Sequence, residues 1–128
     1  MTVRYVTLFN LKSPTVLYKS SINDEHRMII TRWRLSCHKL YIETGRYKTP
    51  KIPREERLCL NCDVLEDENH AIFHCKVHQT IRRKFDNLLR KYNSVGKLLD
   101  PNEEGDIRTI ANFLTEIENN MEKLGMIR

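Results

Sequence analysis

The sequence of 128 residues is poor in glycine and proline, with four of each, which excludes collagen-like repeats and low-complexity disorder. No run approaches the roughly 18 consecutive apolar residues that a membrane-spanning helix needs, so no membrane partner is expected. The opening Met-Thr-Val-Arg-Tyr-Val-Thr has no apolar stretch of signal-peptide length, and an intracellular compartment, nuclear or cytoplasmic, is expected. In that reducing setting four cysteines do not read as a disulfide framework. A Gly-rich phosphate loop and a Ser/His/Asp constellation are both missing, so no enzyme is expected.

What the chain does have is charge, 30% of its residues against 40% hydrophobic, with a net +5. Residues 26–58 carry +6 and residues 76–97 carry another +6, while residues 59–75 between them carry −4 and three of the four cysteines. Two basic blocks flanking a short acidic, cysteine-bearing segment suit phosphate contacts, though a solvated helical surface has the same composition.

The apolar pattern is helical. Residues 1–20 read as an irregular lead-in, and residues 21–128 as a single helical domain. Ser21 to Asp24 supply N-cap candidates for a first helix. Its faces are Ile29/Trp33/Cys37/Leu40 and Met28/Leu35/Ile42, and Gly45 closes it. Cys37 and Trp33 are expected in the core. Pro50 and Pro53 then hold an extended basic arm between about Arg46 and Leu58. A second helix is expected over about Asn69 to Tyr92, with Ile81, Phe85, Leu88, Leu89 and Tyr92 inward and Lys76, Arg83 and Arg90 as a basic stripe. Asn93, Ser94 and Gly96 end it. A third runs from about Glu103 to Leu124, with Ile107, Ile110, Leu114, Ile117, Met121 and Leu124 spaced by threes and fours, and Gly125 closes it. Any strand is expected to be short, in the lead-in or at the cysteine turn. The fold class is therefore mainly α: a small domain of about three helices, stapled by one structural zinc site.

That site is the chemical signal. Cys59-Leu-Asn-Cys62, His70 and Cys75 form C-x2-C-x7-H-x4-C. Zinc takes four thiolate or imidazole ligands in a tetrahedron. Asn61 tolerates the left-handed geometry such a turn often needs. Glu66, Asp67 and Glu68 suit the positive start of the second helix. Cys59, Cys62, His74 and His78 give a competing set, C-x2-C-x11-H-x3-H, but it orphans Cys75. Cys59, Cys62, His70 and Cys75 is the preferred set, with Zn2+ as the cofactor. Four protein ligands leave no open position, as in a structural site.

The stretches ITRWRLSCHKLYIETGRY, IPREERLCLNC and EDENHAIFHC resemble the C-terminal zinc-binding region of non-LTR retrotransposon reverse transcriptases, over roughly residues 25 to 95. In that family an Arg- and His-rich helix leads through a Gly-Arg-Tyr turn and an Ile-Pro-Arg segment into a Cys-Cys-His-Cys site. Arg32, Arg34, His38, Gly45, Arg46, Tyr47, Ile52, Pro53, Arg54 and Arg57 keep that pattern. The departures bear on activity: no Asp-Asp pair of a polymerase and no endonuclease signature follows, so this chain is not expected to polymerise or cut.

The resemblance implies a module that helps to hold RNA or DNA. Its candidate phosphate contacts are Arg27, Arg34, His38, Lys39, Arg46, Lys48, Lys51, Arg54 and Arg57, with Lys76, Arg83 and Arg90 as a second stripe. Tyr41 and Tyr47 are candidates for base stacking. The alternative is a structural or protein-interaction module in which zinc only fixes the helices.

Overall fold

The computed structural model describes Val16, Leu17, Lys19 and residues 21–128, so most of the expected lead-in lies outside the described residues. The described chain is mainly helical. Its α-helices are α1 (Asp24–Arg34), α2 (Tyr41–Thr44), α3 (Gln79–Lys84), α4 (Asp86–Lys91), α5 (Val95–Leu98) and α6 (Glu104–Lys123). A π-helical turn covers His70–His74, and 3-10 turns cover Gly45–Tyr47, Arg54–Glu56 and Lys76–His78. Among the described residues β pairing is confined to one isolated antiparallel bridge, Leu58 with Leu65, at the cysteine turn as expected. None of the described helices is long and apolar enough to cross a membrane. The chain divides into two compact units: residues up to Cys37 with Phe85–Thr115, and His38–Lys84 with Glu116–Arg128.

In the first unit, Asn23 caps α1 by accepting the amides of Glu25 and His26 on Oδ1 at 2.8 and 3.3 Å. Ile29, Ile30 and Trp33 form its buried face. The helix ends at Arg34, eleven residues before Gly45, and this corrects the single long helix expected from the periodicity. Ser36 takes the left-handed conformation at φ 58°, its amide bonds to the Trp33 carbonyl, and the Cys37 amide bonds to the Arg32 carbonyl. That pair of bonds is a Schellman closure built on serine instead of glycine. As a result Cys37 is exposed, not in the core, and so are Met28 and Leu35 of the second predicted stripe. Arg34 turns inward and donates to the Leu99 carbonyl at 2.8 Å.

The second predicted helix is likewise broken, at Cys75 and again at Phe85. Ser94 does not terminate a helix but starts one: its hydroxyl accepts the Lys97 amide and caps α5, which contains Gly96. Leu98 and Leu99 are buried, and Phe85 meets Phe113 edge-on at 5.3 Å. The hydroxyl of Tyr92 donates to Asp106 at 2.6 Å, and Lys91 pairs with the same carboxylate at 2.7 Å.

Helix α6 follows the sequence expectation to within one residue at each end. Ile107, Ile110, Leu114, Ile117 and Met121 are buried, whereas Leu124 is 48% exposed. Gly125 closes it at φ +66°, with Gly125 bonding to Glu122 and Met126 to Met121. Residues to Thr115 serve the first unit and those from Glu116 the second.

In the second unit, Leu40 and Ile42 are buried at the start of the segment that leads to the cysteines. Gly45 is not a left-handed cap; its φ is −63°. It is glycine because a Cβ there would lie 2.9 Å from Cγ of Arg57. The Arg57 guanidinium reaches past it to the carbonyls of Ile42 (3.0 Å) and Ile52 (2.9 Å). The arm itself is extended between its two 3-10 turns, and residues 47–51 are exposed.

Candidate metal centre

The centre lies within the second unit. The Leu58–Leu65 bridge closes the base of a loop whose turn is tied by the Cys59 amide to the Val64 carbonyl (2.7 Å) and the Asp63 amide to the Cys59 carbonyl (3.1 Å). The left-handed residue that lets the loop return is Asp63, at φ 56°, and not Asn61. This turn carries Cys59 and Cys62.

The other two ligands need a different device. Residues five apart on an α-helix sit about 140° away from each other, because each residue advances about 100°. His70 and Cys75 could not serve one ion from such a helix. Here the chain makes a π turn: the Cys75 amide bonds to the His70 carbonyl at 2.7 Å, and Cys75 then leaves in extended conformation. The wider turn brings positions five apart back toward the same side. Asp67 caps its start by accepting the His70 amide at 2.9 Å.

One donor atom from each of Cys59, Cys62, His70 and Cys75 lies within 4.8 Å of all the others. Sγ of Cys59 and Sγ of Cys75 are 3.8 Å apart, far beyond a disulfide and close to the edge of a tetrahedron with zinc–sulfur bonds of about 2.3 Å. Nε2 of His70 is buried and has no hydrogen-bond partner. A buried ring nitrogen is expensive to leave unsatisfied, and a metal ion at the centre of the four donors would satisfy it. Burial pushes the Cys75 thiol up to about 12 and raises that of Cys59, so without a cation both hold their protons. Burial lowers the His70 imidazole, which is therefore neutral and ready to ligate. Such donors fit Zn2+ with no place left for an added ligand.

The competing ligand set does not come together. His74 is exposed, and His78 is buried with its Nδ1 3.0 Å from the side-chain amide of Asn120. Burial lowers the His78 pKa to about 4, so that ring is a neutral structural group.

Of the acidic run, Asp67 serves the helical start as expected, whereas Glu66 and Glu68 are interior. Glu66 accepts the Tyr41 amide at 2.6 Å, and Glu68 holds Nε2 of His38 at 2.6 Å, while Nδ1 of His38 accepts the Leu40 amide. Both glutamates are buried, and they fasten the segment entering α2 to the segment entering the π turn. Arg128 adds a third tie: it donates to the Leu58 carbonyl at 2.9 Å and lies 3.6 Å from Glu66. Tyr41, a candidate for base stacking, is covered by that guanidinium. Tyr47 is 75% exposed.

The candidate phosphate contacts separate into two groups. Arg34, His38 and Arg57 are buried and bound to internal partners, which removes them from any outer surface. Their spacing on the sequence resembles that of surface cations, but backbone carbonyls hold Arg34 and Arg57, and the Glu68 carboxylate holds His38. Arg27 also binds inward, to the carbonyls of Leu17, Lys19 and Ile22. Arg46 pairs with Glu43 at 3.3 Å, and Arg90 with Asp86 at 2.9 Å. Lys48, Lys51, Arg54 and Arg83 are exposed, as are Lys39 and Lys76. Glu66, Glu68, Asn120 and Arg128 hold internal groups, and the sequence shows only their polar character, which is ordinary for a surface.

The class the structure defines is thus a mainly helical chain with a potential Cys3His metal site. No family model, no curated protein and no solved structure matches the chain.

Proposed function

We propose that the chain is a non-catalytic zinc-binding module that holds RNA or DNA through phosphate contacts, in the manner of the reverse transcriptase zinc-binding region its sequence resembles. The observation that carries the zinc reading is the unpartnered, buried Nε2 of His70 among three thiols. Four protein ligands fill a tetrahedron, which is the composition of a structural and not a catalytic site. The nucleic-acid reading is supported by Lys48, Lys51 and Arg54, exposed on the arm that runs into Cys59. Arg83 extends the exposed cationic set beyond Cys75.

A salt titration of binding to RNA and to duplex DNA tests the reading, with zinc content measured alongside. Each duplex phosphate contacted adds about −0.9 to the log–log slope of affinity against salt. Replacing Lys48, Lys51 and Arg54 together by Ala weakens binding to all sequences alike and flattens that slope. If the folded, zinc-loaded protein binds neither nucleic acid at low salt, the nucleic-acid reading fails. The second reading, a protein-interaction module, is favoured by Leu60 and Val64, apolar side chains 54% and 48% exposed on the cysteine turn.

A further inference from the structure

Among the described residues no large apolar or aromatic side chain is more exposed than Tyr47, at 75%. It ends the Gly45–Tyr47 turn, at the head of a loop whose base is closed. The Ile52 amide bonds to the Gly45 carbonyl at 3.0 Å, and the Ile52 carbonyl accepts from Arg57 at 2.9 Å. Both peptide groups of Ile52 are thus held, and Pro50 and Pro53 restrict the backbone further. The guanidinium of Arg46 lies over the Tyr47 ring, with its carbon 5.8 Å from the ring centre, and is itself tied to buried Glu43. From Thr44 to Arg54 the chain carries four cations and no carboxylate. Arg46 has its ion pair, whereas Lys48, Lys51 and Arg54 have no carboxylate partner among the described residues.

We propose that this loop takes unpaired nucleotides: Tyr47 stacks on a base of a single strand while Lys48, Lys51 and Arg54 hold its phosphates. This rests on the nucleic-acid reading above and names its substrate class. In a duplex the faces of each base are covered by the neighbouring pairs, so the loop can reach only phosphates. An unpaired base offers its π-face as well, and stacking accepts any base. A ring carried on a loop with a fixed base loses little freedom when a base settles on it. Tyr41, the other candidate for stacking, cannot serve in this way, because Arg128 covers it.

The test uses the full zinc-loaded chain with three labelled probes: oligo(U), oligo(dT) and a mixed-sequence DNA duplex of the same length. Wild type should bind the single strands more tightly than the duplex. Tyr47→Ala should weaken single-strand binding about fivefold or more and leave duplex binding unchanged. Tyr47→Phe, which keeps the ring, should bind as wild type does, and Tyr47→Leu, apolar but without a π-face, should lose as much as Tyr47→Ala. The loss should be the same at every salt concentration, since stacking releases no counterions. Lys48→Ala should instead flatten the salt slope on a single strand, by about 0.7 for one phosphate. Zinc content and urea midpoint are checked in each variant, and if Tyr47→Ala disturbs the loop, the comparison of Phe with Leu decides. A loss confined to oligo(U) assigns the strand to RNA, and one confined to oligo(dT) assigns it to DNA. A duplex bound more tightly than either single strand, or Tyr47→Ala and Tyr47→Leu at wild-type affinity, overturns the stacking role and leaves the phosphate reading standing. A wild-type chain that binds none of the three probes overturns both and turns the exposed ring over to the protein-interaction reading.

Discussion

The guanidinium of Arg128 lies 3.7 Å from the centre of the Tyr41 ring. The same side chain donates to the Leu58 carbonyl, one residue before the first cysteine, and faces Glu66. It thereby ties together the helix that enters the site and the base of the metal loop. Arg128→Ala is expected to destabilise the zinc-loaded protein by about 1–3 kcal/mol, through loss of the ring contact and of a charged hydrogen bond. Arg128→Lys should recover only part of this, since an ammonium cannot stack as a plane. Urea unfolding measures both, and unchanged midpoints would mean the tie contributes nothing in solution.

The ligands make a second prediction. Purified protein should carry about one zinc per chain, and Cys59→Ser, Cys62→Ser or Cys75→Ser should each abolish it. His78→Ala should keep the metal, because His78 faces Asn120 and not the cluster. Metal removal by a chelator should loosen the His70–His74 turn, visible as faster amide exchange over those residues. Zinc loss in His78→Ala together with retention in Cys75→Ser would reverse the ligand assignment.

Gly45 and Arg57 should behave as a unit. Gly45→Ala places a methyl group against the Arg57 stem, whose far end is anchored on two carbonyls and has little freedom to yield. A loss of about 1–3 kcal/mol is expected, the usual cost of overpacking. Arg57→Ala removes the obstacle and the carbonyl bonds together, so the double variant should be less destabilised than the two single losses combined, by at least about 0.5 kcal/mol. Strict additivity would show that the close approach is relieved elsewhere. Arg57→Ala should also reduce stability rather than the salt slope of nucleic-acid binding, in contrast to Arg54→Ala.

Asp106 gives the pH dependence. Burial alone would raise its pKa, but hydrogen bonds from Lys91 and Tyr92 outweigh burial and hold it below the ordinary 3.8. A carboxylate whose folded pKa is depressed contributes stability that is present above its unfolded value and disappears as pH falls through the folded one. Lys91, raised by Asp106 and then Glu103, works in the opposite range: its contribution is present below 10.5 and fades as pH climbs through its raised pKa. Asp106→Asn should therefore be less stable than wild type near neutrality, with the deficit shrinking below about pH 4. Unfolding of both proteins across that range, compared at each pH, separates this from acid effects at the thiolates. A deficit independent of pH would exclude the carboxylate as its source.

Much of this architecture is legible in the chain. The α6 face is readable because five apolar positions share one helical period with no breaker among them, and Gly125 ends it in the usual way. The cysteine spacing points to the metal donors. The sequence pattern carries α1 past Arg34 because its stop is Ser36 in a left-handed conformation, and serine gives no such signal. The apolar period then continues by accident through Cys37. The inward arginines were illegible for a related reason: Arg34 and Arg57 bind backbone carbonyls, and no residue type marks a carbonyl that lacks a partner.

The π turn at His70–His74 holds one residue more than an α-helical turn needs. Cutting any single residue from Ala71–His74 would leave His70 and the cysteine four apart, a spacing that an ordinary α-helix presents on one face. Deletions usually throw every later side chain of a helix off its face; here the shortened chain could relax into regular helix and still offer both donors. Such a shortened protein should bind zinc stoichiometrically, whereas a one-residue insertion into the same turn should not.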